Sequence, residues 1–157
     1  MLCPCGSKLE YKQCCEPVIV HCNAKSPEQL MRSRYSAYAL QCYYYVFNTY
    51  CNSSKKTLTI NDIVSSANKT KWLNLRVINS SEFKFKQKPT VEFEVIYIND
   101  NIFYKMFEKS SFIEEDQSWK YVDAIKLSIN EISIPNRNDK CICLSDKKYK
   151  KCCGINL

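Results

Sequence analysis

The sequence predicts an α+β fold in which helices pack on one face of a curved antiparallel sheet, with a small zinc knuckle at each end. Three observations predict it: helical periodicity in the first half, two-residue alternation in the second half, and clustered cysteines at both ends. The 157 residues are 45% apolar, which is enough for one modest hydrophobic core but not for two. We therefore expect an N-terminal knuckle at 1–25, an α+β domain at 26–135 and a C-terminal knuckle at 136–157.

Hydropathy and cysteine content indicate the cellular setting. No apolar run approaches the roughly 18 residues that span a bilayer, and no charged, then apolar, then small-residue leader opens the chain. We therefore expect a soluble, cytoplasmic protein. The eleven cysteines are an odd number, and the cytosol keeps thiols reduced, which disfavours a disulfide framework. Clustered cysteines in a reducing compartment are more often metal ligands.

The two ends of the chain are an internal repeat. Residues 3–15 read CPCGSKLEYKQCC and residues 141–153 read CICLSDKKYKKCC, so each copy is Cys-x-Cys, eight residues, then Cys-Cys. Four thiols per copy meet the tetrahedral demand of zinc with no ligand left over. We therefore predict two zinc ions per chain. The expected ligands are Cys3, Cys5, Cys14 and Cys15 in the first copy and Cys141, Cys143, Cys152 and Cys153 in the second.

The spacing explains how such a knuckle folds. Cys-x-Cys places two sulfurs on a tight turn, and the eight-residue stretch returns the chain so that the Cys-Cys pair completes the tetrahedron. Metal binding would supply most of the folding free energy, on the order of 10–16 kcal/mol, so we expect each knuckle to share little apolar area with the core. We expect Ser7 and Ser145 to hydrogen-bond the sulfurs and Tyr11 and Tyr149 to cover them.

Two other interpretations of the cysteines remain open. An iron–sulfur cluster also uses four thiolates, although the short loops favour a single ion. Eight ordinary buried thiols or redox pairs would not need such close repetition. Zinc is the interpretation that the pattern favours.

Charge is concentrated at the C-terminus. Residues 136–157 carry six basic against two acidic residues, a net +4 of the total +7. Each zinc with four thiolates contributes about −2, so two sites lower the total to about +3. The candidate partner-binding residues, which would suit an acidic protein or a phosphate backbone, are Lys147, Lys148, Lys150 and Lys151. The alternative is that these lysines only balance thiolate charge.

The first predicted helix of the central segment begins at Pro27. Ser26 is the expected N-cap, and Gln29 would complete a capping box. One helical face is then apolar. Its predicted members are Met31, Tyr35, Tyr38 and Cys42.

The rest of the central segment predicts two more helices and then strands. A helix begins in the aromatic run 43–47, and a shorter one lies around 62–67. Beyond Trp72 the period changes to two, which predicts strands at 91–98, at 103–107 and at 119–123. Polar runs at 99–101 and 114–117 read as turns, and 134–138 is a linker.

Several stretches of the sequence resemble a known family. Both ends resemble the SEC-C motif, the zinc-binding tail of the SecA preprotein translocase, and the whole chain looks like the YchJ family of small bacterial proteins. The residues that carry the resemblance are CPCGS at 3–7, LMRSRYSAY at 30–38, VEFEV at 91–95, EKSSF at 108–112, WKYVD at 119–123, RND at 137–139 and KKYKKCCG at 147–154. The resemblance implies a cone-like central domain similar to nuclear transport factor 2, between two zinc-binding SEC-C motifs.

The knuckles depart from the usual SEC-C pattern. Lys8 replaces a glycine in the first copy, and Leu144 and Asp146 replace glycines in the second, where Ile142 also replaces proline. If the glycines have positive φ, each replacement costs roughly 1 kcal/mol of strain. We therefore expect weaker or more distorted sites that still bind metal.

The sequence and the resemblance together indicate two possible functions from different classes. The first is a non-enzymatic zinc-binding adaptor, because the SEC-C motif of SecA contacts the chaperone SecB and ribosomal or lipid surfaces, and a closed four-thiolate site lacks the open position that metal catalysis needs. The alternative is an enzyme or small-ligand receptor that uses the cavity of the central domain; its ligand is unknown, and fold alone names no reaction. The candidate polar lining consists of Arg34, Glu94, Glu108, Trp119 and Asp123.

Overall fold

The computed structural model describes residues 1–81, 88–143 and 145–155. Within these residues four α-helices precede four strands, as the α+β prediction required, and the fold class is confirmed. The helices are α1 Cys15–His21, α2 Pro27–Ala39, α3 Tyr43–Asn48 and α4 Ile60–Ala67. The strands are β1 Lys71–Ser81, β2 Thr90–Asn99, β3 Ile102–Glu115 and β4 Ser118–Ile132. None of the described helices is long and apolar enough to cross a membrane.

The N-terminus of α2 is capped nearly as predicted. The hydroxyl of Ser26 accepts a hydrogen bond from the Gln29 amide at 3.1 Å. The side chain of Gln29, however, accepts from the Lys25 amide at 2.6 Å, so the reciprocal bond of the predicted capping box is displaced by one residue. The helix ends at Ala39, and Gln41 has a left-handed φ of 59°. Cys42 therefore lies beyond α2, and its assignment to the helical face was wrong.

The two shorter helices agree with the sequence. α3 contains the aromatic run 43–47. α4 begins two residues before the predicted 62–67, because Thr59 is its N-cap. Thr59 accepts from the Asp62 amide at 3.2 Å, and the Asp62 carboxylate accepts from the Thr59 amide at 2.8 Å, which completes a capping box.

The sheet is antiparallel throughout, in the order β1-β2-β3-β4. Asp100 and Asn101 connect β2 to β3, and Asp116 and Gln117 connect β3 to β4; all four have positive φ, as tight hairpins require. The predicted turn at 114–117 is therefore shorter, since residues 114 and 115 belong to β3. Strands β3 and β4 also extend well beyond the predicted 103–107 and 119–123. Register shifts within the β1–β2 and β3–β4 pairs curve the sheet.

The helices cover the concave face of the sheet. Along β2, the alternate residues Val91, Phe93 and Val95 are buried against α2. The same core cluster includes Cys3, Cys5 and Cys15, so the N-terminal knuckle is packed into the main core. The expectation that this knuckle shares little apolar area with the core was wrong. The division at residues 25 and 135 stays a prediction.

Candidate metal centres

The N-terminal cysteines form one compact cluster. The sulfurs of Cys3, Cys5, Cys14 and Cys15 all lie within 4.8 Å of one another. The Cys5–Cys14 and Cys14–Cys15 sulfur distances are 3.6 and 3.9 Å. Four sulfurs at about 2.3 Å from one zinc ion would be separated by about 3.8 Å in a regular tetrahedron. The geometry therefore fits a single metal ion held by four thiolates.

A small hairpin assembles this cluster. The Cys3 amide donates to the Leu9 carbonyl at 2.8 Å, which brings the Cys-x-Cys turn back toward the chain that follows it. Gly6 has a φ of +77° within this turn, where a Cβ would also lie 3.1 Å from the Leu75 carbonyl oxygen. A short 3₁₀ turn at Tyr11–Gln13 leads into α1, whose first residue is Cys15. The ligands thus come from two adjoining turns.

Side chains beside the sulfurs stabilise the cluster. The Ser7 hydroxyl lies 3.2 Å from the Cys14 sulfur, as predicted. The Ser36 hydroxyl, on α2, lies 3.5 Å from the Cys3 sulfur. Arg32, also on α2, donates to the Cys5 carbonyl at 3.0 Å and forms an ion pair with Glu28 at 2.8 Å. Sequence reasoning missed Ser36 and Arg32, because nothing in the local pattern joins α2 to the knuckle.

The C-terminal cysteines repeat this geometry. The sulfurs of Cys141, Cys143, Cys152 and Cys153 lie within 4.8 Å of one another, and Cys143 is 3.4 Å from both Cys141 and Cys152. The Cys141 amide donates to the Lys147 carbonyl at 2.8 Å, the bond equivalent to that between residues 3 and 9. The Ser145 hydroxyl lies 3.2 Å from the Cys152 sulfur, as predicted. The internal repeat is therefore a repeat of structure.

Tyr149 joins the C-terminal knuckle to the sheet. Its ring is buried and meets the ring of Phe103 edge-on, with centroids 6.3 Å apart. Phe103 lies on β3 and forms a second, smaller core cluster with Ile98 and Cys141. The prediction that this tyrosine covers its knuckle is confirmed, while the equivalent Tyr11 is half-buried against the main core.

The two knuckles carry non-glycine residues in the left-handed region at the same repeat position. Lys8 has a φ of 64° and Asp146 a φ of 59°. Both residues therefore meet the condition under which replacing the glycine of the usual pattern was expected to cost strain. Leu144 lies outside the described residues.

Each cluster acidifies one of its thiols. A hydrogen bond from the Cys15 thiol lowers the pKa of Cys5 to about 4, against the opposing effect of burial, and the same bond raises the pKa of Cys15. Burial raises the pKa of Cys141, but hydrogen bonds from the Cys143 and Cys153 amides outweigh it and lower that pKa to about 7. In each cluster one thiol is therefore the first to ionise, and the thiolate is the form that binds a metal ion.

The central domain has a cavity of about 270 Å³ between the helices and the concave face of the sheet. Arg34 and Glu108, two of the five candidate lining residues, line it. Glu94 lies on the opposite face of the sheet, in ion pairs with Arg76 at 2.5 Å and Lys105 at 2.8 Å. Its assignment to the cavity was wrong, because neighbouring residues of β2 point to opposite faces.

Trp119 and Asp123 of β4 are also outside the cavity lining, so their assignment was wrong. Trp119 packs against the main core, and Asp123 accepts a hydrogen bond from the Ser111 hydroxyl. Tyr121, between them in sequence, does line the cavity. Sequence reasoning also missed Trp72 and Asn99, which line the end of the cavity nearest the β2–β3 turn.

The four candidate partner-binding lysines are all exposed. Within the described residues, none of them lies within 4 Å of a carboxylate, and the knuckle's one ion pair joins Lys140 to Asp146. The basic side chains therefore face solvent while the thiols face inward.

Known family models match both the middle and the ends of the chain. The model of the YchJ middle NTF2-like domain matches residues 26–124, and the SEC-C motif matches residues 2–17 and 137–155. A UPF0225 protein of Serratia proteamaculans is 40% identical over 98% of this chain and 97% of its own length. A UPF0225 protein of Vibrio parahaemolyticus is 38% identical over 97% of this chain and 98% of its own.

Two solved structures of SEC-C motif containing proteins are similar to this chain. The solution structure of a protein from Rhodopseudomonas palustris has a TM-score of 0.71 and 32% identity, and covers 79% of this chain and 97% of its own. The crystal structure of a protein from Psychrobacter arcticus has a TM-score of 0.67 and 26% identity, and covers 100% of this chain and 97% of its own.

Proposed function

The chain belongs to the YchJ family, and we propose that it is a non-enzymatic, zinc-binding adaptor whose C-terminal knuckle docks on an acidic protein surface. One observation carries the proposal: Lys147, Lys148, Lys150 and Lys151 stand exposed on a closed four-thiol cluster. The knuckle thus presents a basic surface.

Zinc is the proposed metal in both clusters. All sulfurs of a cluster lie within 4.8 Å of one another, which suits a single ion. In an iron–sulfur cluster with two or four irons the cysteines are shared among several irons, and sulfurs bound to different irons would lie further apart. A four-thiolate site has no open coordination position, so the zinc would have a structural role and no part in a reaction. We expect the purified protein to be colourless and to contain close to two zinc ions per chain by elemental analysis. Iron together with visible absorbance would contradict this assignment.

Cytoplasmic location is part of the proposal. All eleven cysteines are free, and the proposed ligands bind metal only as reduced thiols, which the cytosol maintains. An acidic docking partner in that compartment would gain from the net +4 of residues 136–157, of which about +2 remains after the zinc site is counted.

Replacing the four lysines with serine tests the docking surface. The quadruple variant should bind polyglutamate, used as an acidic-protein probe, at least tenfold more weakly than the parent, and parent binding should fall steeply with salt. Zinc content should not change, because lysine is not a ligand. The matched control replaces Lys55, Lys56, Lys69 and Lys71, which are outside the knuckles, and should keep full binding.

Other outcomes separate the alternatives. If the variant loses zinc readily but binds polyglutamate unchanged, the lysines only balance thiolate charge and the proposal fails. If the parent binds ribosomes or RNA and does not bind polyglutamate, the partner is a phosphate backbone and the proposed partner class is wrong.

A further inference from the structure

The cavity of the central domain has walls of aromatic rings. Tyr38 and Tyr97 each lie about 5.5 Å, between ring centroids, from Trp72, and Tyr35 meets Trp72 edge-on at 5.8 Å. All four residues line the cavity of about 270 Å³. Such walls favour a flat, unsaturated ligand, because aromatic rings interact with one another by offset stacking or edge-to-face contact.

Two polar atoms of this cavity lack hydrogen-bond partners. Trp72 Nε1 and Asn99 Oδ1 are the only buried side-chain nitrogen or oxygen atoms without a partner across residues 1–81, 88–143 and 145–155. Both residues line the same cavity. Trp72 pairs with Tyr97, and Asn99 is the next residue of β2 on that face, so the donor and the acceptor are diagonal neighbours on the sheet. Buried polar groups are rarely left unpaired, so a ligand group at this end would satisfy both.

The opposite end of the cavity carries one charge of each sign. The buried Arg34 guanidinium donates to the Val46 carbonyl at 2.9 Å and to the Thr49 hydroxyl at 2.7 Å, and packs on the Tyr50 and Tyr121 rings at 4.4 and 4.5 Å. Glu108 accepts from the Ser110 hydroxyl at 2.5 Å and from the Tyr121 hydroxyl at 3.0 Å. Arg34 and Glu108 thus flank Tyr121 and together leave the lining neutral. A charged ligand would leave one buried charge uncompensated, so the lining favours a neutral one.

We propose that this cavity binds a small, neutral, aromatic heterocycle with a lactam edge, that is, a ring N–H beside a ring carbonyl. The carbonyl accepts a hydrogen bond from Trp72 Nε1–H, the ring N–H donates to Asn99 Oδ1, and the ring lies among Tyr38, Tyr97 and Trp72. This ligand site is separate from the metal clusters and from the docking surface. The proposed ligand site does not depend on whether the knuckle lysines bind a partner.

Titration of the zinc-loaded, full-length protein with 2-pyridone tests the site. The chain has two tryptophans, so a nitrogen-15 correlation spectrum contains two indole N–H signals. The Trp72 signal should move with added 2-pyridone while the Trp119 signal stays in place, since Trp119 is outside the cavity lining. N-methyl-2-pyridone lacks the donor for Asn99 and should bind about tenfold more weakly, as expected for one lost buried hydrogen bond. Benzoate and benzylammonium, the charged probes, should bind more weakly still.

Variants separate the polar contacts from the shape of the cavity. Trp72→Phe keeps a ring but removes the donor, and should weaken 2-pyridone binding about tenfold, as should Asn99→Ala. Trp119→Phe is the matched control and should bind 2-pyridone as the parent does. Zinc content and the near-ultraviolet circular dichroism of each variant report folding; if Trp72→Phe does not fold, Asn99→Ala decides the question.

The proposal is overturned if 2-pyridone leaves the Trp72 signal unchanged up to its solubility limit. Equal affinity for 2-pyridone and its N-methyl form would show that the donor–acceptor edge is not recognised. Tighter binding of benzoate or benzylammonium would show that the cavity selects a charged ligand.

Discussion

The N-terminal and C-terminal knuckles repeat the same hairpin, the same serine–sulfur contact and the same left-handed residue, yet their surroundings differ. In the first knuckle Cys5 is 0% exposed, and three of the four cysteines are part of the main core. In the second only Cys141 is fully buried, within a small cluster around Phe103 on the opposite face of the sheet from the main core. One local motif thus serves as part of a core in one place and as an appended unit in the other. Loss of metal should therefore have unequal consequences at the two ends.

The largest expected difference between the two knuckles is in the stability that is lost when one cysteine ligand is removed from each. Cys5→Ser should release one zinc and lower the unfolding free energy of the whole central domain by several kcal/mol, because the knuckle contributes part of the main core. The equivalent Cys143→Ser should also release one zinc but change the unfolding of the central domain by only about 1 kcal/mol. Elemental analysis and thermal unfolding measure both quantities. Equal losses of stability in the two variants would show that the different burial of the two knuckles does not affect the unfolding free energy of the central domain.

The attachment of the second knuckle is expected to depend on one ring. Tyr149→Ala would remove the contact with Phe103 and cost about 3 kcal/mol, so hydrogen exchange in residues 139–153 should accelerate while zinc stays bound. Tyr11→Ala, at the equivalent position, is the matched control; its ring is half-buried, so the cost should be about 1 kcal/mol. Equal acceleration in the two knuckles would contradict the assignment of Tyr149 as the attachment point.

The sequence was sufficient to predict the parts of the site that lie within thirteen residues of chain. The clustering of the four cysteines and the serine–sulfur contacts at Ser7 and Ser145 were predicted correctly, because four thiols of one repeat can come together without a distant segment. Ser36 and Arg32 reach the first knuckle from α2 through tertiary packing, which local spacing does not encode. The different burial of the two knuckles also depends on tertiary packing and could not be predicted from local spacing.

Prediction of the cavity residues from the sequence failed for a different reason. Glu94 could have been excluded from the sequence, since the alternation that buries Phe93 and Val95 turns it to the other face. For Trp119 and Asp123, the two-residue alternation of side chains along β4 was not sufficient to predict whether they line the cavity. Register shifts between β3 and β4 occur at residues 109–112, and they decide which residues of β4 point into the cavity. Such irregularities depend on the curvature of the assembled sheet.

The smallest expected effect concerns the left-handed residues that both knuckles carry. Lys8→Gly should relieve the strain of a Cβ at a φ of 64° and stabilise the first knuckle by roughly 0.5–1 kcal/mol, after allowing for the greater freedom of glycine in the unfolded chain. Asp146→Gly should gain about half as much, because aspartate tolerates this region better and its ion pair with Lys140 is largely exposed and contributes little. Competition with a zinc chelator measures each gain as tighter retention of the metal. Lys8→Ala keeps the Cβ and should show no gain; if it matches Lys8→Gly, the lysine side chain rather than the backbone is the source of the strain.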